Sequence, residues 1–320
     1  MENDFDKPMS DAAKFVPSAD DAPIFLTGFA RSGTTWVNRL MQDYFDAGFV
    51  NEGQFIVSFG KRIQRYGDLR ILGNRERLVR DLARDRFFSI LSSNYKVDMD
   101  WNRITGRAGS FAEIVKGILT QIAEQTGKHR IGSKYPVFGR YLGLLNDLFP
   151  DCKVIHVIRD GRDCALSHQR MTWGHQNTYS AAVHWRTYME ASRRSAKAMQ
   201  GRYLEIRYED LLLEPKTTMR ILEHFITGTL EHDITMRFLE DSKSLKTDRA
   251  GHWRQAMPAR TQAIFEFVAG ETLERFGYPL TGSVHRPSFV ARMGYLAHDR
   301  LVREGWNIAR KVFRNLPEHK

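Results

Sequence analysis

The chain has 320 residues, 42% of them hydrophobic and 27% charged, with a formal net charge of +10 and a pI near 9.6. These values describe a globular protein with room for a large α/β domain, and they exclude fibrous and wholly disordered chains. The surplus of cations favours anionic partners: nucleotides, sulfated or phosphorylated ligands, or an anionic membrane surface. No apolar run approaches the ~20 residues of a membrane-spanning helix. The acidic, polar start MENDFDKPMSDAAKF is unlike a signal peptide. The two cysteines, Cys152 and Cys164, form neither a CxxC nor a zinc pattern, which fits a reduced, cytoplasmic setting.

Residues 1–21 read as a flexible leader. The apolar run 23–27 predicts a buried strand, and 34–45 has helical spacing, with Trp36, Val37, Leu40 and Met41 on one face. The stretch 68–127 reads as mostly helical. Its clearest helix runs from Ser110 to Thr126 and stops at Gly127. A helix over about 138–149 precedes a strand at 152–158, and another helix starts near Asp163. A further strand spans 203–207, with helices near 215–227 and 259–276. Strands alternating with helices predict an α/β fold around a mostly parallel sheet. The main domain is expected over 22–282, followed by a tail over 283–320.

The sharpest feature is Gly28-Phe29-Ala30-Arg31-Ser32-Gly33-Thr34-Thr35-Trp36, set between a strand and a helix. Such a turn aims backbone N–H groups at an anion, and its glycines let the backbone approach the ligand. Ser32, Thr34 and Thr35 add hydroxyls, and Arg31 adds a permanent forked cation. The spacing is that of the loop G-x-x-x-x-G-K-[ST], but Thr34 stands in the lysine place. That loss argues against ATP or GTP chemistry, which relies on the lysine. A P-loop kinase or NTPase is the alternative enzyme. A non-catalytic binder of anionic ligands is the third candidate.

A second cluster is Val157-Ile158-Arg159-Asp160-Gly161-Arg162-Asp163-Cys164-Ala165-Leu166-Ser167. Arg159 falls at the end of a strand and Ser167 eight residues on, in the next helix. An arginine and a hydroxyl there suit a terminal phosphate, because open α/β sheets bind ligands beyond the carboxyl ends of their strands.

The run Arg-Ser-Gly-Thr-Thr-Trp resembles the 5′-phosphosulfate loop of sulfotransferases that use 3′-phosphoadenosine 5′-phosphosulfate (PAPS). The resemblance implies a three-layer, P-loop-like fold, with a central sheet flanked by helices, helical insertions and a C-terminal helical tail. It implies that Arg31, Ser32, Gly33, Thr34, Thr35 and Trp36 hold the 5′-phosphosulfate. The Arg159–Ser167 pair is similar to the family's 3′-phosphate motif. Tyr208 looks like its strand-end tyrosine beside the adenine. Arg249-Ala250-Gly251 is similar to its basic, glycine-bearing C-terminal segment, with alanine where cytosolic relatives commonly carry lysine.

The reaction implied is sulfuryl transfer from PAPS to a hydroxyl or amine, without a metal. Gly132-Ser133-Lys134-Tyr135-Pro136 lacks the histidine base of cytosolic relatives. It resembles the Lys-x-Pro signature of tyrosylprotein and many bacterial sulfotransferases, in which a glutamate after the first helix takes the proton. Glu52 sits in that place and is the expected base, with His175 as the alternative. Lys134 and Arg31 are expected to stabilise charge developing on the sulfuryl group and leaving phosphate.

The acceptor is expected to be a small molecule, a sugar or a lipid. A nucleic-acid partner is not expected, since no helix-turn-helix, zinc finger or aromatic RNA-binding motif is present. Residues 283–320 carry eight Lys and Arg against three Asp and Glu, a surplus of five. Met293, Leu296, Ala297, Leu301, Ile308 and Val312 recur there at helical spacing. The tail therefore reads as a basic amphipathic helix, packed on the domain or lying against an anionic membrane.

Overall fold

The computed structural model describes residues 22–50, 52–230, 232–241 and 249–312. The expected leader and the last eight residues lie outside the described residues. Strand β1 (Ile24–Gly28) leads through a tight turn into α1 (Thr34–Tyr44). Helices α2 (Gln54–Gly60), α3 (Leu72–Ala83), α4 (Arg86–Tyr95), α5 (Trp101–Arg107) and α6 (Phe111–Gln125) fill the stretch before β2 (Gly132–Lys134). Then come α7 (Leu142–Leu148), β3 (Lys153–Ile158), α8 (Gly161–Gln169), α9 (Thr178–Ala196) and β4 (Tyr203–Arg207). Helices α10 (Tyr208–Leu213), α11 (Pro215–Thr227), α12 (His232–Asp241), α13 (Trp253–Ala256), α14 (Ala259–Arg275) and α15 (Phe289–Val312) complete the chain.

The sheet is parallel throughout, in the order β2-β1-β3-β4. Parallel neighbours need helical crossovers, which cover both faces of the sheet. The strands alternate accordingly. Ile24, Leu26, Ile155 and Val157 pack with α1, α10 and α11 on one face. Phe25 and Val154 face the opposite layer, with α2 to α7. Beyond the strand ends, Ile158 meets α8, α9 and α14. Together these layers make the P-loop-like α/β fold. No helix among the described residues is long and apolar enough to cross a membrane.

Local signals explain most element ends. Ser110 caps α6 in a reciprocal capping box with Glu113, and Gly127 takes φ +66° just past it. Two elements departed from expectation. The segment before Pro136 forms a strand, β2, too short for its periodicity to show. Residues 136–140 are a 3-10 turn, so α7 starts at Leu142. Helix α9 was not anticipated either. Its buried face joins Trp185, Tyr188 and Met189 to five small or polar residues, Thr178, Ser180, Ala181, Ala182 and Ser192, so the apolar part is a short patch rather than a full stripe.

Candidate functional site

In this topology all four strands deliver their carboxyl ends to one edge, where an open α/β sheet binds its ligands. Gly28 of β1 lies in register with Val157 of β3, so the turns after these strands are neighbours. The first turn is shaped by its backbone. Arg31 takes φ +71° and Gly33 φ +96°. A Cβ on Gly33 would sit 2.4 Å from the Tyr208 ring, and one on Gly28 would sit 2.6 Å from Val157 O. The N-cap residue Gly33 makes no side-chain cap on α1, and although Trp36 N–H bonds Gly33 O at 3.0 Å, the N–H groups of Thr34 and Thr35 open the helix uncapped. The Ser32 hydroxyl is fully buried and has no hydrogen-bond partner among the described residues. A buried polar atom left in this state fits a turn built to hold a bound anion.

The second turn is shaped by buried charge. Arg162 is fully buried, pairs with Asp160 and Glu266 at 2.8 Å each, and donates to Pro279 O. Its guanidinium lies 3.5 Å from the Trp253 ring centroid. Asp163 accepts from the backbone N–H of Gly251 at 3.0 Å and of Trp253 at 2.8 Å. Burial raises the Asp163 pKa, against the nearby Arg159 cation. Asp163 thereby fixes the segment holding Arg249 and Gly251 against α8.

The two turns are joined directly. Arg159 donates to Arg31 O at 3.3 Å and to Arg249 O at 2.9 Å. Arg31 Nε donates to Ser167 Oγ at 2.9 Å. Arg31, Arg159, Asp163, Ser167, Arg170 and Arg249 line a cleft of about 370 Å³, together with Leu166 and His252. Arg31 thus points into the cleft of the second turn and contributes only its backbone to the first. Tyr208 is 5% exposed, covered by Gly33, the Trp36 ring edge and the Arg159 guanidinium 4.4 Å away. It offers a brace for the turn and for Arg159 rather than an open stacking face. Thr34 is buried and Thr35 exposed at the start of α1.

At the other end of the strand-tip row, Glu52 Oε1 lies 3.6 Å from Lys134 Nζ. The backbone N–H groups of Glu52 and Gly53 both donate to Lys134 O, tying the loop before α2 to the tip of β2. Glu52 takes φ +68° there. Gly53 has no room for a Cβ, which would fall 2.0 Å from Ser133 Oγ. The Lys134 side chain is 5% exposed while that of Glu52 is 57% exposed. Burial pushes the Lys134 pKa below 10.5, and the Glu52 carboxylate opposes the shift.

His175 is committed elsewhere. Its Nδ1 lies 3.1 Å from Asp299 of α15, and its ring stacks on His184 at 4.1 Å. His175, His184 and Asp299 could each offer a metal one ligand atom. The two rings are nearly parallel, however, so their in-plane lone pairs do not converge, and Arg303 Nη1 stands 3.6 Å from the carboxylate.

Sequence reasoning missed His168. Burial depresses its pKa to about 3, so the ring is neutral. Its Nδ1 accepts from His175 N at 3.4 Å and its Nε2–H donates to Ala30 O at 3.0 Å. It thus holds the loop after α8 onto the first turn. Arg170 was also missed. Nothing but its place after Ser167 marks it in the sequence.

The profile of the sulfotransferase family matches residues 23–231. A sulfotransferase domain from the Synechococcus PCC 7002 olefin synthase is 21% identical, with a TM-score of 0.53 over 82% of this chain and 96% of that one. A sulfotransferase domain from the curacin biosynthetic pathway is 18% identical, with a TM-score of 0.53 over 81% of this chain and 99% of that one. At these identities the structures establish a shared fold. A search of curated proteins finds no significant match. The family profile, covering well over half of the sequence, assigns this chain to the sulfotransferase family.

Proposed function

We propose that this sulfotransferase uses PAPS as donor and sulfates a hydroxyl or amine acceptor by in-line displacement. The observation that carries the proposal is the junction of the two turns, where Arg159 bonds the backbone of Arg31 and both line one cationic cleft. A ligand with phosphates on both the 3′ and the 5′ position of an adenosine ribose matches that layout.

The residues fit the donor. The N-terminus of α1, with Ser32, Gly33, Thr34, Thr35 and Trp36, would hold the 5′-phosphosulfate. Arg159, Ser167, Arg31 and Arg249 would hold the 3′-phosphate, while the expected Gly251 N–H donor is already taken by Asp163, so Gly251 serves to position the Arg249 segment. The side chain of Arg31 therefore serves binding. PAPS supplies the sulfuryl group and departs as adenosine 3′,5′-bisphosphate.

Glu52 takes the acceptor proton. Its carboxylate is exposed, as a group that must meet an incoming acceptor should be. Lys134 sits buried beside it and places a fixed cation where negative charge develops on the bridging oxygen. Burial strengthens that cation's effect by excluding water.

Incubating the protein with labelled PAPS and a metabolite extract tests this proposal. Release of adenosine 3′,5′-bisphosphate that depends on the extract is expected, with no turnover of ATP. Binding of PAPS without release in any extract would sink the catalytic assignment.

A further inference from the structure

Fifteen large hydrophobic residues are exposed among the described residues, and seven of them fall between Val284 and Trp306. Helix α15 carries six. Its inner side is pinned to the body at mid-length. Tyr295 O accepts from Asn177 and Ser180, and the Tyr295 ring stacks on Tyr179 at 5.6 Å. Asp299 is 3% exposed and accepts from the backbone N–H of Gln176 at 2.7 Å. One turn of the helix is thus locked, by polar contacts rather than by an apolar face.

The apolar residues lie on the other side. Val290, Met293, Ala297 and Leu301 follow at three- and four-residue spacing, which places them along one stripe. Phe289 is 69% exposed, Val290 79%, Met293 52% and Leu301 69%. An orderly helix that turns its apolar stripe to water is waiting for an apolar partner.

Charge identifies that partner. The segment from Ser283 onward carries a surplus of five cations. Arg300 stands beside the stripe with a side chain 79% exposed, in a solvent-facing pair with Glu304 at 2.8 Å that a lipid phosphate can replace. A second copy of the chain would set this surplus against itself, whereas an anionic bilayer neutralises it. The helix also holds Arg292, Asp299, Arg300, Arg303 and Glu304, so it can lie in a membrane plane but cannot cross it. We propose that the outer face of α15 docks this protein onto an anionic lipid bilayer. The apolar stripe enters the headgroup boundary and the arginines meet lipid phosphates. This docking needs neither donor nor acceptor, so it stands independently of the sulfuryl-transfer chemistry.

Sedimentation of the full chain with vesicles tests the proposal without turnover. The probes are phosphatidylcholine alone and phosphatidylcholine with roughly a quarter phosphatidylglycerol, at low and high salt. Binding at least about tenfold stronger to the anionic vesicles is expected, weakened by salt. The double variant Val290→Asp, Leu301→Asp should lose at least about tenfold of that binding while keeping its thermal midpoint. Should that variant unfold, Met293→Gln is measured in its place and should weaken binding in the same direction. Wild-type protein that stays in the supernatant with anionic vesicles overturns the proposal. So does undiminished binding by the folded variants. A dimer in lipid-free buffer that these substitutions return to monomer also overturns it, because the stripe then pairs with a second copy.

Discussion

The two turns at the strand tips solve the same problem in opposite ways. The turn after β1 is backbone architecture: Gly28 and Gly33 clear space, Arg31 and Gly33 take positive φ, and the Ser32 hydroxyl waits unpartnered. The turn after β3 is charge architecture: Asp160, Arg162, Asp163 and Glu266 satisfy one another and neighbouring backbone in the core. On the proposed function, the first keeps donors for a ligand, at a cost in backbone strain and in the hydrogen bond that Ser32 lacks among the described residues. The second uses its own charges on itself, and what it exports is the aim of Arg159. On the proposed function, binding groups and scaffold groups are thus segregated, although both turns are rich in polar residues.

The contrast breaks first at Arg162. Arg162→Met should leave Asp160 and Glu266 buried without their cation and cost about 3–5 kcal/mol of stability. Thermal or denaturant unfolding reads this directly, and a variant as stable as wild type would end the scaffold account of the second turn.

Lys134→Met should lower kcat by about 10²–10³-fold with a small change in donor KM, since its cation acts on charge that develops during transfer. The pH profile sharpens this. A buried lysine with a pKa held below 10.5 loses its charge earlier on raising pH, so activity should fall on the alkaline side below pH 10.5. The folded protein disfavours the charged form, so this lysine's contribution to stability improves as pH rises through its folded pKa toward 10.5. An alkaline limb that stays in place in active Lys134→Arg would remove Lys134 from the chemistry.

Gly33→Ala places a Cβ against Tyr208 and a non-glycine residue at φ +96°, a strain of about 1–3 kcal/mol. Donor affinity should fall with it, as calorimetry would register.

The smallest effect is the most diagnostic. Ser32→Ala removes an orphaned buried hydroxyl, so the unliganded protein should be equally stable or slightly more so. Donor affinity should nevertheless drop by roughly twofold to tenfold, the value of one hydrogen bond. Loss of stability in this variant would mean that Ser32 serves the fold instead of the ligand.

What was legible in the sequence was local. The turn from Gly28 to Trp36 compresses strand end, glycines, hydroxyls and helix start into nine residues, so its physics lies in consecutive letters. The Arg159–Ser167 spacing spans about two turns of helix and is equally compact. The joints between these pieces were not legible. Arg31 reaches Ser167 across 136 positions, and Arg159 reaches Arg249 across 90. No local pattern records that the Arg31 guanidinium leaves its own turn for the neighbouring one. Helix α9 escaped because Thr178, Ser180, Ala181, Ala182 and Ser192 dilute its buried face and leave Trp185, Tyr188 and Met189 as a short apolar patch rather than a stripe along its nineteen residues. His168 escaped because a lone histidine becomes a fastener only when Ala30 and His175 close on its two nitrogens. For the tail, the sequence presented packing and membrane contact as rivals. Helix α15 packs through its middle and still leaves an apolar stripe outward.

The central claim is that one bisphosphorylated adenosine spans both turns, and calorimetric titration with adenosine 3′,5′-bisphosphate tests it most directly. Saturable binding at one site is predicted, weakened at least about tenfold for adenosine 5′-monophosphate and about equally for Arg159→Ala, because each removes one charged hydrogen-bonded contact. No binding, or equal affinity for the two nucleotides, would contradict the account.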